Sequence, residues 1–384
     1  MREAAILAGL GDDERVLVES FARFANDELL PLADRHAEGP VLPDGEIMEL
    51  LRRIDEFGLV TGLVSSGDDG ELDLQVYAHL FEQLAGTWAD LALATLIQSL
   101  IASLLHQIGS ADQKQRYLAP LLRGERIGCV CISEPGVGSN VADVQTQAIA
   151  DGDELVIRGQ KLWISNGGWA DFAIVVCRDG DALSMVIADR KAGWTSREIQ
   201  KMGIHAASTA ELFFDDVRVP RENLLGKPGE GLRQTLKLFE RARIFVGLTS
   251  VGIARAALEE AVKYAQEREQ HGKPIGGHQI IQAYIAEMAT EVDAGRLLCS
   301  RALELLARGQ RCDTESSMAK WYATEMAVGV ASKAVQIHGG FGITRDYRVE
   351  RHFRNARIMP IPDGTTEIQK LVIGRNLLGI SAFT

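Results

Sequence analysis

Little in this chain points to metal, disulfide or nucleic-acid chemistry. Its five cysteines (Cys129, Cys131, Cys177, Cys299 and Cys312) show neither the paired spacing of a zinc site nor the even framework of a disulfide scaffold. Cys129 and Cys131 alternate within an apolar run, which predicts one shared face of a strand. Basic residues are outnumbered, 41 Lys and Arg against 53 Asp and Glu, for a formal net charge of −12. A nucleic-acid partner, which needs a broadly cationic face, is therefore not expected. No uninterrupted run of about 20 apolar residues occurs, so no membrane-spanning helix is expected either. The opening MREAAILAGLGDDERV turns acidic before an apolar core can form and resembles no secretory signal, which makes the cytoplasm the expected compartment. Repeats and low-complexity tracts are also lacking.

What remains is an ordinary globular composition, 46% hydrophobic over 384 residues, a length that suits two or three domains. The periodicity changes twice. Residues 1–125 carry apolar positions at three- and four-residue spacing over 14–29, 46–57, 72–84, 89–107 and 111–122, predicting helices separated by turns at Leu42-Pro-Asp-Gly and Ser66-Gly-Asp-Asp-Gly. Over 126–230 the period shifts towards two, with short β-rich runs at 154–158, 172–177, 183–188 and 211–219. Long helical patterns return in 231–384, at 231–269, 278–308, 313–338 and 366–378. Segregated α, β and α regions differ from the alternating β-α pattern of a dinucleotide-binding sheet.

Near the C-terminus stands Ile361-Pro-Asp-Gly-Thr-Thr-Glu-Ile-Gln-Lys370. Asp363 sits there on an Asp-Gly turn just before the periodic positions Ile368, Leu371 and Val372. Read alone, it is a candidate N-cap. The turn also suits a carboxylate offered to a ligand, and the residue by itself leaves both readings open.

Further motifs follow one another in order. They are Ile127-Gly-Cys-Val-Cys-Ile-Ser-Glu-Pro-Gly-Val-Gly-Ser-Asn140, Gly159-Gln-Lys-Leu-Trp-Ile-Ser-Asn-Gly-Gly168 and the run from Phe213 to Gly226. Arg268-Glu-Gln-His-Gly-Lys-Pro-Ile275, His278-Gln279 and Gln336-Ile-His-Gly-Gly-Phe-Gly342 come next, ahead of the Asp363 segment. In this register the set resembles the acyl-CoA dehydrogenase family of flavoproteins over nearly the whole chain. The resemblance implies an α+β fold: an N-terminal all-α domain, a central antiparallel β-barrel domain and a C-terminal four-helix bundle. It also implies FAD, an acyl-CoA (or acyl-carrier-protein) substrate, an electron-transfer flavoprotein as acceptor and a homotetramer of paired dimers.

Site residues follow by position. The resemblance places Val130, Ile132 and Ser133 at the flavin ring edge, Ser165 next to its N5, and Trp163 over the ring as a shield. Hydrogen-bond donors there stabilise the charge that a reduced flavin develops. Gly138 and Ser139, with Gly136, match a tight loop at the diphosphate and pantetheine. Arg268 and Gln270 match a pair reaching the FAD phosphates of a neighbouring subunit, which suits the forked guanidinium. Gln279, Gln336, Gly339, Gly340, Thr365 and Glu367 complete the implied cofactor contacts. Ser139, Glu240, Arg243 and Gly364 match the acyl and CoA channel.

The implied reaction removes a proton α to a thioester and a hydride from the β carbon. Most relatives carry Glu at the position of Asp363, and a minority place the base at what is here Ala242. Alanine cannot serve, which leaves Asp363 as the matched base, shorter by one methylene or roughly 1.5 Å. Three residues stay open: His271, where Phe is usual, reads as a packing substitute or as a polar contact to the adenine side; Glu367 stands for the more usual Gln; and Asp90 is a second carboxylate beside the apolar run 89–97, expected to be solvated. Two other functions also stay open, the same fold running desulfinase or hydroxylase-like chemistry, and a non-catalytic flavoprotein.

Overall fold

The computed structural model describes residues 11–64 and 72–382; the turn predicted at Ser66-Gly-Asp-Asp-Gly lies outside them. Helical periodicity in the N-terminal region yields α1 Asp12–Phe24, α2 Leu30–His36, α3 Asp44–Asp55, α4 Leu74–Thr87 and α5 Ala89–Ile108. Asp73 starts α4 by accepting from the backbone N–H groups of Gln75 and Val76. Two of the predicted helices contain a π-helical stretch, Ala25–Leu29 after α1 and Lys114–Leu118 between two short helical turns. By length and composition α5 is apolar enough to cross a membrane, but most of it is buried in the core of the helical region.

The central region is one sheet of β1 Gly128–Cys131, β2 Gln147–Asp151, β3 Glu154–Ser165, β4 Phe172–Asp179, β5 Ala182–Asp189, β6 Thr195–Glu198, β7 Thr209–Pro220 and β8 Leu224–Leu225. The strand order is β6-β7-β3-β2-β4-β5-β8, with β1 added alongside β4. The antiparallel barrel of the sequence reading is adjusted in two respects: β1 and β2 each pair β4 in parallel, and the path ends at β6 and β8 without closing. The strands still enclose a core of their own, including Ile157, Val175, Val186, Leu212 and Phe214. Cys129 and Cys131 share a face as expected, their sulfurs 3.7 Å apart.

The C-terminal region consists of α6 Gly231–Glu267, α7 Gln279–Ala307, α8 Asp313–His338, α9 Val349–Ile358 and α10 Thr366–Leu378. Four of these match the periodicity within two residues. The fifth, α9, escaped it because its buried face is Val349, His352, Asn355 and Ala356, half of it polar, so no apolar stripe marks the sequence. Burial pushes the His352 imidazole down to about 3, so it packs as a neutral ring.

Helices α4 and α6 touch backbone to backbone. A β-carbon at Gly252 would stand 2.4 Å from the Glu82 carbonyl oxygen, and one at Gly86 would stand 2.9 Å from that of Gly252. Beside this contact the buried Glu82 carboxylate meets Arg296 at 2.7 Å and Arg255 at 3.3 Å. Burial works against its charge, but the two guanidinium groups outweigh burial and hold the carboxyl below its usual range.

Gly252→Ala therefore sets two effects against each other. Alanine is the better helix former by about 1 kcal/mol, whereas forcing backbones apart in a packed core costs about 1–3 kcal/mol. Because the obstructing atom is backbone, the clash wins, and the expected outcome in urea unfolding is a net loss of stability. A raised midpoint would contradict this account of the crossing.

Candidate functional site

After α9 the chain turns sharply before α10. The N-cap of α10 is Thr365, whose side chain accepts from Ile368 N–H. The capping role considered for Asp363 is thereby corrected: the cap stands two residues beyond it. Asp363 takes a left-handed backbone conformation (φ 55°), followed by Gly364 at φ 89°. A non-glycine residue in that region costs roughly 1–3 kcal/mol and persists where its surroundings over-determine it. Buried Gln369 donates to the carbonyls of Asp363 (3.1 Å) and Gly364 (2.7 Å). From α8, Lys320 Nζ donates to those of Pro360 (2.7 Å) and Gly364 (2.8 Å). A β-carbon at Gly364 would lie 2.7 Å from Gln369 Nε2, so glycine is required there by space as well as by φ.

The charges of Arg243 on α6 and of Lys320 act on the half-buried Asp363 carboxyl. Loss of water raises its proton affinity above the usual carboxylate range, and the two cations recover only part of that rise. Arg243 is buried and poorly satisfied. Its Nη1 reaches Ser317 Oγ only at 3.5 Å, and its Nε has no hydrogen-bond partner among the described residues. A carboxyl of raised proton affinity, next to a guanidinium with N–H groups to spare, can take a proton and bind a carbonyl-bearing ligand.

Ala242 is buried beside Arg243. Glu240 spends one oxygen on the N–H of Cys312 at 2.6 Å, capping α8. Asp90, expected to be solvated, is instead buried and accepts from Ala206 N–H at 2.7 Å, tying the start of α5 to the loop before β7. Burial raises its proton affinity, and backbone donors counter the rise.

A second group gathers at one edge of the sheet. Val130 lies in β1 and Ile132 and Ser133 directly follow it, and Leu162 N–H donates to the Ser133 carbonyl at 2.9 Å, which brings Ser133 alongside Trp163 and Ser165. Register shifts in β3 between Lys161 and Ile164 turn Trp163 outwards at φ 64°, with 60% of its surface exposed. Underneath, the buried Lys161 ammonium meets the Glu134 carboxylate at 2.8 Å and the Ile132 carbonyl at 3.0 Å, pinning the two strands. Gly138 and Ser139 are exposed in the following loop, where a β-carbon on Gly138 would meet nothing.

The third group lies at one end of the helical bundle. Gln336 is exposed in the last turn of α8, and Gly339 and Gly340 follow it. The Arg268 guanidinium lies 5.9 Å from the centre of the Phe341 ring, which places it at the same corner. Gln270 and Gln279 are exposed nearby in sequence, on a two-stranded ribbon (β9 Glu269–Gln270 with β10 Lys273–Pro274) and at the start of α7. His271, at the ribbon tip with φ 52°, is exposed and meets the His278 ring edge-on, so it fills no core position in its own chain. Thr365 and exposed Glu367 belong to the Asp363 turn. Among the described residues no hydrogen bond or ion pair joins the sheet-edge group to the bundle-end group.

The donor set fits a flavin: two hydroxyls beside an exposed indole, a guanidinium at a glycine pair, and open room where Gly138, Gly339 and Gly340 lack side chains. Sequence reasoning missed Lys320 and the role of Gln369. The sequence did carry a signal for the lysine, which stands alone among Ser316, Ser317, Ala323 and Thr324, a face of small residues that a charged side chain does not ordinarily share.

Family models describe the acyl-CoA dehydrogenase N-terminal domain at residues 11–125, the middle domain at 129–217 and the C-terminal domain at 229–378. The chain is similar to a probable acyl-CoA dehydrogenase (YngJ) of Bacillus subtilis, 36% identical over 96% of this chain and 99% of the relative. Its structure resembles butyryl-CoA dehydrogenase from Megasphaera elsdenii, with a TM-score of 0.91 and 33% identity over 96% of this chain and 99% of the other. It also resembles a glutaryl-CoA dehydrogenase from Mycobacterium smegmatis in complex with FADH2, with a TM-score of 0.91 and 29% identity over 98% and 97% of the two chains.

Trp163→Gly separates ligand binding from folding. Removing an exposed ring from left-handed backbone should leave apo-protein unfolding within about 1 kcal/mol of wild type, or above it. Flavin binding should weaken roughly tenfold through the lost ring contact. Thermal unfolding with and without added FAD reads both quantities, and unchanged flavin stabilisation would remove Trp163 from the site.

Proposed function

This chain belongs to the acyl-CoA dehydrogenase family, and on that premise we propose that it desaturates an acyl-CoA thioester with Asp363 as base and FAD as the resident flavin. The observation that carries the reading is the Asp363 carboxylate itself. It is basic through loss of water, held on an immobilised turn, and faces a guanidinium with unused N–H groups.

A bound flavin supplies the hydride acceptor. The rest is done by side chains. Asp363 takes the proton α to the thioester, its proton affinity raised by loss of water. Arg243 and Lys320 hold positive charge near the carboxylate, so that it stays ionised for part of the accessible pH range. Ser133 and Ser165 offer hydroxyls at the sheet edge, where Trp163 covers the ring. Arg268, Gln270, Gln279 and Gln336 with the Gly339–Gly340 backbone serve the diphosphate, the first two across a subunit boundary. Ser139, Glu240 and Gly364 border the acyl and CoA channel.

The partners follow the same reading: an electron-transfer flavoprotein as acceptor, and a homotetramer. Supporting assembly, exposed Ile280, Leu297, Ile343, Leu377, Leu378 and Ile380 all lie on the C-terminal elements, more apolar surface than a solitary bundle usually offers to water. With Asp for Glu the base is shorter, so substrates that seat the α carbon deeper are favoured, branched or cyclic acyl groups among them.

Anaerobic bleaching of the flavin by a panel of straight, branched and cyclic acyl-CoAs tests this. Asp363→Asn should slow bleaching by about 10²-fold or more. In wild type the rate should climb as pH rises through the elevated Asp363 pKa, because the carboxyl below that point is protonated and cannot accept. If no thioester bleaches the flavin, or if the Asn variant matches wild type, the assignment fails.

A further inference from the structure

Lys320 has no part in the chemistry just described beyond its charge, yet its placement is costly. A fully buried ammonium loses its hydration and is retained only where carbonyls and carboxylates replace the water. Here the replacement is directed at one turn. Nζ reaches the carbonyls of Pro360 and Gly364, which bracket Asp363. With the bonds from Gln369, the carbonyls of residues 360, 363 and 364 are all tied to buried donors.

We propose that Lys320 is a positioning residue, which fixes the left-handed turn that aims Asp363 and supplies positive charge near that carboxylate. This rests on reading Asp363 as the base. The two neighbouring groups each supply half of that role: Gln369 holds carbonyls without a charge, and Arg243 supplies charge without touching the turn's backbone. Among the described residues only Lys320 does both.

The charges that meet here come from four elements. Asp363 is faced by Lys320 from α8 and by Arg243 from α6. Lys320 is faced by Asp363, Arg243, Glu325 of its own helix and Glu367 of α10. Burial draws the lysine down to about 8, with Asp363 opposing that fall and Arg243 adding to it. At neutral pH the ammonium is thus mostly charged, and removing it takes away an attraction that favours the ionised carboxylate.

The test follows the carboxyl stretch of Asp363 itself, as an infrared difference between flavin-loaded protein and its Asp363→Asn counterpart across pH, with no thioester present. Lys320→Met removes donor and charge together. Its Asp363 midpoint should rise by about one pH unit or more, a tenfold change in acid constant. Lys320→Gln keeps a neutral donor on a side chain one bond shorter, covers the case in which the methionine variant does not fold, and should show the same rise. Lys320→Arg keeps the charge and should stay close to wild type.

With a thioester that wild type bleaches, the pH limb of the bleaching rate should move with the infrared midpoint while apparent substrate affinity changes less than the rate. A merely structural defect would lower the amplitude and leave the limb in place. An unmoved midpoint in the neutral variants, or an equal rise in the arginine variant, overturns the assignment. Should the midpoints move as expected while no thioester bleaches the wild type, the desaturation reading falls and the role of Lys320 stands.

Discussion

Taking a carboxylate out of water raises its affinity for a proton, and taking an ammonium out of water lowers the ammonium's own; the two costs are tolerable together and severe apart. Helices α6 and α8 and the turn before α10 bring one carboxyl and two cations into that coupling. Asp363, Lys320 and Arg243 come from three elements far apart in sequence; burial raises the proton affinity of the carboxyl, and the two cations oppose that rise. A base needs an apolar setting to gain basicity and neighbouring cations to remain ionised. Both conditions are met only if the helices hold their separation closely, since electrostatic effects at this range change steeply with distance.

The rest of the architecture supplies that fixity. Gly86 and Gly252 let α4 and α6 meet backbone to backbone, and the buried Glu82 with its two arginines clamps α4 to α6 and α7 beside the contact. The helix that carries Arg243 is thus set by a contact roughly two turns farther along it. In the sheet, the Lys161–Glu134 pair anchors the strand ends that present Ser133 and Trp163. Buried ion pairs thus occur both in the helical region and in the sheet.

Much of this was legible in the residues. The α, β, α succession and the limits of α6, α7, α8 and α10 follow from long amphipathic patterns, which report burial directly. Asp363 was legible through its Asp-Gly turn and its register with distant motifs. The true cap was not, because Asp363 and Thr365 are both good capping residues and only the backbone decides between them. Helix α9 hid behind a polar buried face. The parallel pairings of β1 and β2 with β4 and the open sheet depend on contacts between distant strands, which no local period encodes. Asp90 misled for a related reason: its burial comes from Ala206, more than a hundred residues away. Lys320 left a trace as a lone charge among small side chains, but its partners could not be named before the turn was seen.

All five cysteines are buried. Burial pushes the thiols of Cys177 and Cys312 up to about 12, with nearby carboxylates adding to the effect at Cys312, and it also raises those of Cys131 and Cys299. In the native state burial keeps reagents from these sulfurs, and they become reactive only when their surroundings open. Three of them sit within the sheet and two within the helical bundle. The chain thus carries built-in clocks for its two cores: the pace at which a thiol reagent labels Cys129, Cys131 and Cys177 times the breathing of the sheet, and the pace at Cys299 and Cys312 times that of the bundle.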